Sequence, residues 1–303
     1  MGQEDLREFK QSKIALFSRL KPRNIFPGEW ESVYTGDGIE FASIEPLEPG
    51  DDLRDLDLHT LVQSGEEQII HRVTGRQIKI FVWVDFSGSM QRFPEMLFAG
   101  KPEIRDIALG LLLFSACNAY SPVGLCAFDE GIKRYFPAKS GERYCWEILN
   151  WVIDQERECS AASANVRNAI SFLVERAHPR SLVFLVSDFE DPAFEVDFAD
   201  FLRPVAKKFD LVPVVVRDPL EKEGALRRSV RMAVKDSEGD AGTEVYLTPQ
   251  WLREVQQTCA RHLSHLEQNF HDLGIGHVVL DSASIEDCHR VLSGFFQART
   301  MTR

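Results

Sequence analysis

From Gln77 onward the chain alternates between short apolar runs and longer stretches of helical periodicity. Ile78–Val84, apolar throughout its later half, Val123–Phe128, Leu182–Val186 and Leu211–Val216 have the length and composition of strands buried on both faces. Helical periodicity is expected over about 102–120, 142–155, 165–177, 196–208, 249–273 and 284–299. After Val123–Phe128, the turn Asp129-Glu130-Gly131 leads into Ile132–Phe136, which reads as a hairpin at a sheet edge. A hairpin-like segment over 228–247 and a strand Gly276–Leu280 complete the order. Strand–helix alternation on this scale predicts an α/β fold: a doubly wound, mostly parallel sheet with helices on both faces.

The first quarter of the chain reads differently. Residues 3–20 have the spacing of an amphipathic helix, ended by Pro22 and Pro27, and 25–75 are Gly-rich, acidic and irregular. The expected organisation is therefore an N-terminal extension, 1–75, and an α/β domain, 76–303. With 35 basic and 47 acidic side chains the net charge is −12, which argues against nucleic acid as the main partner. The longest apolar stretch, Ile107–Cys117, falls well short of the roughly 20 residues of a membrane span. The opening MGQEDLREFKQSK has charges where a signal peptide needs an apolar core. Six cysteines stand apart, without C-x-x-C spacing, and read as small buried side chains in a reducing compartment, so a cytoplasmic protein is expected. The eight histidines contain no H-E-x-x-H pattern.

In a sheet of this kind ligands bind beyond the carboxyl ends of the strands, near the point where the strand order reverses. The first central strand ends in Asp85-Phe86-Ser87-Gly88-Ser89, and a later one ends in Ser187-Asp188, with Glu190 and Asp191 just beyond. Parallel strands bring both ends to one edge, where Asp85, Ser87, Ser89 and Asp188 can meet. Carboxylates and hydroxyls are hard oxygen donors and suit Mg²⁺ or Mn²⁺. Helix capping would account for one of these side chains. It does not account for Asp at two strand ends on the same edge.

Asp85-x-Ser87-x-Ser89 at the end of a central strand resembles the metal-ion-dependent adhesion site of von Willebrand factor A-type domains. In those domains a Thr from a second loop and an Asp from a third join the motif, and Asp188 matches the third-loop Asp. Upstream, Gly36-Asp37-Gly38-Ile39-Glu40-Phe41 and Glu48-Pro49-Gly50-Asp51-Asp52-Leu53-Arg54-Asp55-Leu56-Asp57 are similar to a bacterial set of von Willebrand A-like proteins, the domain-of-unknown-function family fifty-eight. Arg217-Asp218-Pro219-Leu220-Glu221 and Phe295-Phe296-Gln297-Ala298-Arg299 share the likeness. It implies a von Willebrand A-type, Rossmann-like fold and an association with MoxR-type AAA+ ATPases. Two positions depart from the pattern. Ala164 stands where the resemblance implies a metal-ligating Thr, leaving Ser163 or Ser160 to offer a hydroxyl and implying weak metal binding. Leu58 replaces a usual Trp.

Two segments keep two readings each. Pro49-Gly50-Asp51-Asp52 is a turn leading into a capped short helix, or a binding surface. Phe93, Met96, Leu97 and Phe98, just after the metal loop, pack locally or form a partner-contact rim.

Three functions follow from these residues. The first is a non-enzymatic interaction module: a metal at Asp85, Ser87, Ser89 and Asp188, with Ser163, keeps one position open for a partner's Asp or Glu. The resemblance makes that partner a MoxR-type AAA+ ATPase or its client, with the chain as an adaptor in protein remodelling or maturation. The second is a metal-dependent phosphatase or phosphotransferase of the haloacid-dehalogenase kind, which such strand-end acids resemble. That class uses an acid two residues after the first Asp. Here Ser87 stands at that position and cannot protonate a leaving group near pH 7. The third is a metal-free structural scaffold.

Overall fold

A computed structural model of the 303-residue chain describes residues 40–46, 68–73, 78–90, 100–155, 166–177, 179–190, 198–221, 230–235 and 242–301. The chain divides into a larger unit containing Ile78–Arg303 and a smaller one, Pro22–Gln77. In the smaller unit β1 (Glu40–Pro46) and β2 (Gln68–Val73) pair antiparallel, with an irregularity between Phe41 and Ser43. The helix expected over 3–20 and the segment Pro49–Asp57 lie outside the described residues.

The larger unit runs β3 (Ile80–Asp85), α1 (Lys101–Asn118), β4 (Val123–Phe128), β5 (Ile132–Lys139), α2 (Glu142–Gln155) and α3 (Val166–Arg176). It continues through β6 (Leu182–Ser187), α4 (Phe198–Lys208), β7 (Asp210–Val216), a separate antiparallel hairpin β8 (Val230–Lys235) and β9 (Gly242–Leu247), α5 (Pro249–Asp272), β10 (Val278–Leu280) and α6 (Ile285–Met301). Six strands form one sheet in the order β10-β7-β6-β3-β4-β5. Every neighbouring pair in it is parallel except β4 and β5, the edge hairpin foreseen from Asp129-Glu130-Gly131. The fold is thus the expected Rossmann-like, doubly wound α/β sheet.

The continuously apolar strands follow from two cores, one on each face. Ile80, Val82 and Val84 of β3 point to one face, where Ile104 and Leu111 of α1, Ile148 and Val152 of α2, and Leu292 and Phe296 of α6 cover them. Phe81 and Trp83 point to the other, beneath Ile170 of α3, Leu202 and Val205 of α4, and Leu266 and Phe270 of α5. A strand packed on both sides has no position left for a polar residue, so alternation disappears. The apolar run Ile107–Cys117 lies within α1, which is buried along most of its length. Among the described residues no helix is long and apolar enough to cross a membrane.

Gly124 shapes the edge. A Cβ there would lie 2.6 Å from the Phe136 carbonyl oxygen and 2.9 Å from the Ala138 nitrogen, and the β4–β5 register shifts between Val123 and Leu125. Glycine allows the bulge that lets β5 close on β4. Boundaries differ from expectation by a residue or two at most places. Strand β10 is shorter than the expected Gly276–Leu280, because pairing with Val214–Val216 of β7 begins only at Val278.

The sheet positions a site by its winding. The chain leaves β3 for β4 on one side and leaves β6 for β7 on the other, although β3 and β6 are adjacent. Connections diverging from neighbouring strands open a crevice at their carboxyl ends. Asp85 and Ser187 close those two strands.

Candidate metal site

In the parallel register Val84 lies beside Val186, so Asp85 comes level with Ser187. The Ser187 hydroxyl donates to Asp85 Oδ2 at 2.7 Å, and the Ser87 backbone N–H donates to Asp85 Oδ1 at 2.8 Å. A single 3₁₀ turn, Gly88–Met90, then folds the chain back, and the Ser87 and Ser89 Oγ atoms sit 3.2 Å apart. The Ser89 hydroxyl in turn donates to the Asp188 carboxylate. Asp85, Ser87, Ser89 and Asp188, chosen from the sequence as strand-end donors, therefore meet in one connected group. Asp85 is 1% exposed, Ser87 3% and Asp188 3%. Ser163, Ala164 and Asp191 lie outside the described residues, as do Phe93, Met96, Leu97 and Phe98.

Burying two carboxylates together shifts both. Burial, and then the negative charge of Asp188, push the Asp85 carboxyl up to about 6, against the hydrogen bonds from Ser87 and Ser187. Burial acts most strongly on Asp188 too and in the same direction, but the charge and hydrogen bond of Lys101, with the hydrogen bonds from Ser89 and the Glu190 N–H, together outweigh it and hold this carboxyl below the usual range. Asp188 thus loses its proton first of the two, and Asp85 follows near pH 6.

Lys101 is the residue that sequence reasoning missed. It opens α1, is only 9% exposed, and its Nζ donates to Asp188 Oδ2 at 2.8 Å and to Glu190 Oε1 at 2.7 Å. Glu221 Oε1 stands 3.9 Å away, in the 3₁₀ turn Pro219–Glu221 that follows β7, and its other oxygen pairs with Arg217. Burial disfavours the ammonium, but Asp188, Glu190 and Glu221 more than offset this and raise its pKa. A signal was present in the chain. A basic residue in the first turn of a helix opposes the helix dipole, so it needs a reason to be there.

Arg105, one turn further along α1, fixes the loop itself. Its guanidinium donates to the Met90 carbonyl at 2.8 Å and to Asp106 Oδ1 at 2.9 Å, and stacks 4.2 Å from the centre of the Phe86 ring. Ser187 was foreseen as a strand end but not as the group that orients Asp85. It also accepts the Phe189 N–H at 3.0 Å, where the backbone turns through φ 60°.

Among the described residues no three His, Cys, Asp or Glu side chains gather as a metal cluster. The donor set here is mixed: two buried carboxylates and the hydroxyls of Ser87 and Ser89. Each carboxylate oxygen has two lone pairs, so Asp85 keeps acceptor capacity beside its hydrogen bonds from Ser87 and Ser187. An all-oxygen set around closely placed carboxylates fits a hard divalent cation. A cation already rests against Asp188, in the form of the Lys101 ammonium.

Uncharacterized proteins of Mycobacterium tuberculosis and Mycobacterium bovis are 19% identical over 264 residues, 86% of this chain and 80% of theirs. Three solved structures are similar. An aerotolerance-related membrane protein from Bacteroides fragilis is 12% identical, with a TM-score of 0.46 over 73% of this chain and 99% of that one. The conserved hypothetical protein BatB from Bacteroides thetaiotaomicron is 13% identical, with a TM-score of 0.44 over the same shares, 73% and 99%. The manganese-loaded TRAP protein of Plasmodium vivax is 14% identical, with a TM-score of 0.34 over 46% of this chain and 57% of its own. The model of a family described as proteins of unknown function, DUF58, matches residues 44–265, a stretch holding every side chain of the strand-end site, and the chain belongs to that family.

Proposed function

We propose that the chain is a non-enzymatic protein-interaction module that uses a divalent ion, Mg²⁺ or Mn²⁺, held by Asp85, Ser87, Ser89 and Asp188. One position of the ion stays open for an Asp or Glu of a protein partner. The observation that carries this reading is the meeting of those four side chains at the divergence of β3 and β6, with both carboxylates buried. Two buried carboxylates repel each other; the Lys101 ammonium offsets this at Asp188, and a divalent ion between them would offset it at both. The sequence resemblance favours a MoxR-type AAA+ ATPase, or a client of one, as the partner, with the chain acting as its cytoplasmic adaptor. Ser87 in place of an acid speaks for binding over hydrolysis.

Calorimetric titration with Mn²⁺ tests the metal, and capture of a MoxR-type ATPase with and without chelator tests its use. Wild type takes up one ion, Asp85→Ala loses that binding by a factor of ten or more, and chelator releases the ATPase. Equal Mn²⁺ binding by wild type and Asp85→Ala removes the ion from this site. Capture that chelator leaves unchanged removes the metal from the contact.

A further inference from the structure

Lysine is an unexpected choice at position 101. The helix dipole disfavours a cation in the first turn of α1, and burial disfavours it again. What compensates is acidic side chains from two different strand ends. Asp188 and Glu190 follow β6, and Glu221 follows β7. The Asp188 oxygen that accepts the lysine belongs to a carboxylate in the donor set assigned above to the metal. An ammonium and a divalent ion on one carboxylate repel each other, so the two compete for it.

The surroundings offer the lysine a second position. Glu190 already accepts from it at 2.7 Å, and Glu221 lies 3.9 Å away, just beyond hydrogen-bond distance. An ion that takes Asp188 deprives Lys101 of one acidic neighbour and leaves it Glu190 and Glu221, with the Asp218 carboxylate also near enough to feel its charge. Without the lysine, the metal-free site would hold Asp85, Asp188, Glu190 and Glu221 with Arg217 as the remaining cation near Glu221.

Resting on the metal reading above, the geometry points to Lys101 as a tethered counter-cation: it occupies Asp188 when the site is metal-free and gives way toward Glu190 and Glu221 when a divalent ion enters. This makes the ion exchangeable. The fold does not depend on the ion for charge balance, and the ion binds more weakly than the same oxygens would hold it without a competitor. Metal occupancy also sets where the first side chain of α1 lies.

The probe is Mn²⁺ alone, added to chelator-treated full-length protein and followed by calorimetry, with Tm recorded in chelator and in saturating Mn²⁺. Lys101→Met should bind Mn²⁺ at least tenfold more tightly than wild type. Lys101→Arg, which keeps the charge, should stay within threefold. In chelator Lys101→Met should melt below wild type, and Mn²⁺ should raise its Tm by more than it raises that of wild type. If Lys101→Met does not fold, Lys101→Gln carries the same comparisons. Binding by Lys101→Met but not by wild type also supports the competition. Equal or weaker binding by Lys101→Met overturns the role of the lysine and leaves the metal reading standing. Binding by neither protein overturns both.

Discussion

Asp85 accepts hydrogen bonds on both carboxylate oxygens, yet burial and the charge of Asp188 raise its carboxyl to about 6. The folded chain therefore holds a proton there more tightly than the unfolded chain does. The contribution of this residue to stability is fully present below the ordinary carboxylate value and is lost as pH rises through about 6. Asp188 behaves oppositely: its lowered value gives stability that is present at neutral pH and lost only in stronger acid. In chelator, Asp85→Asn should melt above wild type at pH 7.5, and the gap should narrow as pH falls through about 6 and close only below the ordinary carboxylate value, where Asp85 is protonated in the folded and the unfolded chain alike. A gap in Tm that is constant across that range would show that Asp85 is not the titrating group. At this scale the sequence was legible where chemistry follows from local spacing. Asp85, Ser87 and Ser89 share one strand end, and Asp188 ends another apolar run. Lys101 was legible only as a cation set against the helix dipole, because its role depends on how the start of α1 falls against the ends of β6 and β7, and spacing along the chain does not encode that.

Elements were more readable than contacts. Strands β3, β4, β6 and β7 are each a continuous apolar run because helices cover both faces, and that pattern identifies them without any partner in view. Length fixed the helices, and turn residues fixed the β4–β5 hairpin. Details set by register were out of reach, such as the late start of β10 and the bulge beside Gly124. The bulge has a measurable cost if filled. Gly124→Ala puts a methyl group against the Phe136 carbonyl, the Ala138 nitrogen and the Phe81 ring, two of them backbone atoms that move only with the edge strand. Urea denaturation should show a loss of about 1–3 kcal/mol. A loss near zero would mean that β5 shifts freely against β4.

Across the whole α/β unit, the two ends of the sheet are fastened differently. At the carboxyl edge Lys101 ties α1 to the loops after β6 and β7. At the opposite edge Arg299, near the end of α6, pairs with Asp210, the first residue of β7, at 2.5 Å with both side chains 4% exposed, and stacks over the rings of Phe295 and Phe296. Removing one member of a buried pair leaves the other charged and dry. Arg299→Met should therefore cost about 3–5 kcal/mol in chemical denaturation. A change under about 1 kcal/mol would show that water reaches Asp210 once the arginine is gone.

The antiparallel hairpin also bears on whether the six-stranded sheet can be extended at its edge. Strand β5 is the sheet's terminal strand and carries Lys133, Arg134 and Lys139, with Pro137 in its second half. Proline has no amide hydrogen to offer an incoming strand, and although Lys133 pairs with Asp129, basic side chains along an edge oppose a second copy of that edge. The far edge, β10, is only three residues long. Neither border of the six-stranded sheet is a ready template for strand addition, so a second copy gains little by extending this sheet edge to edge.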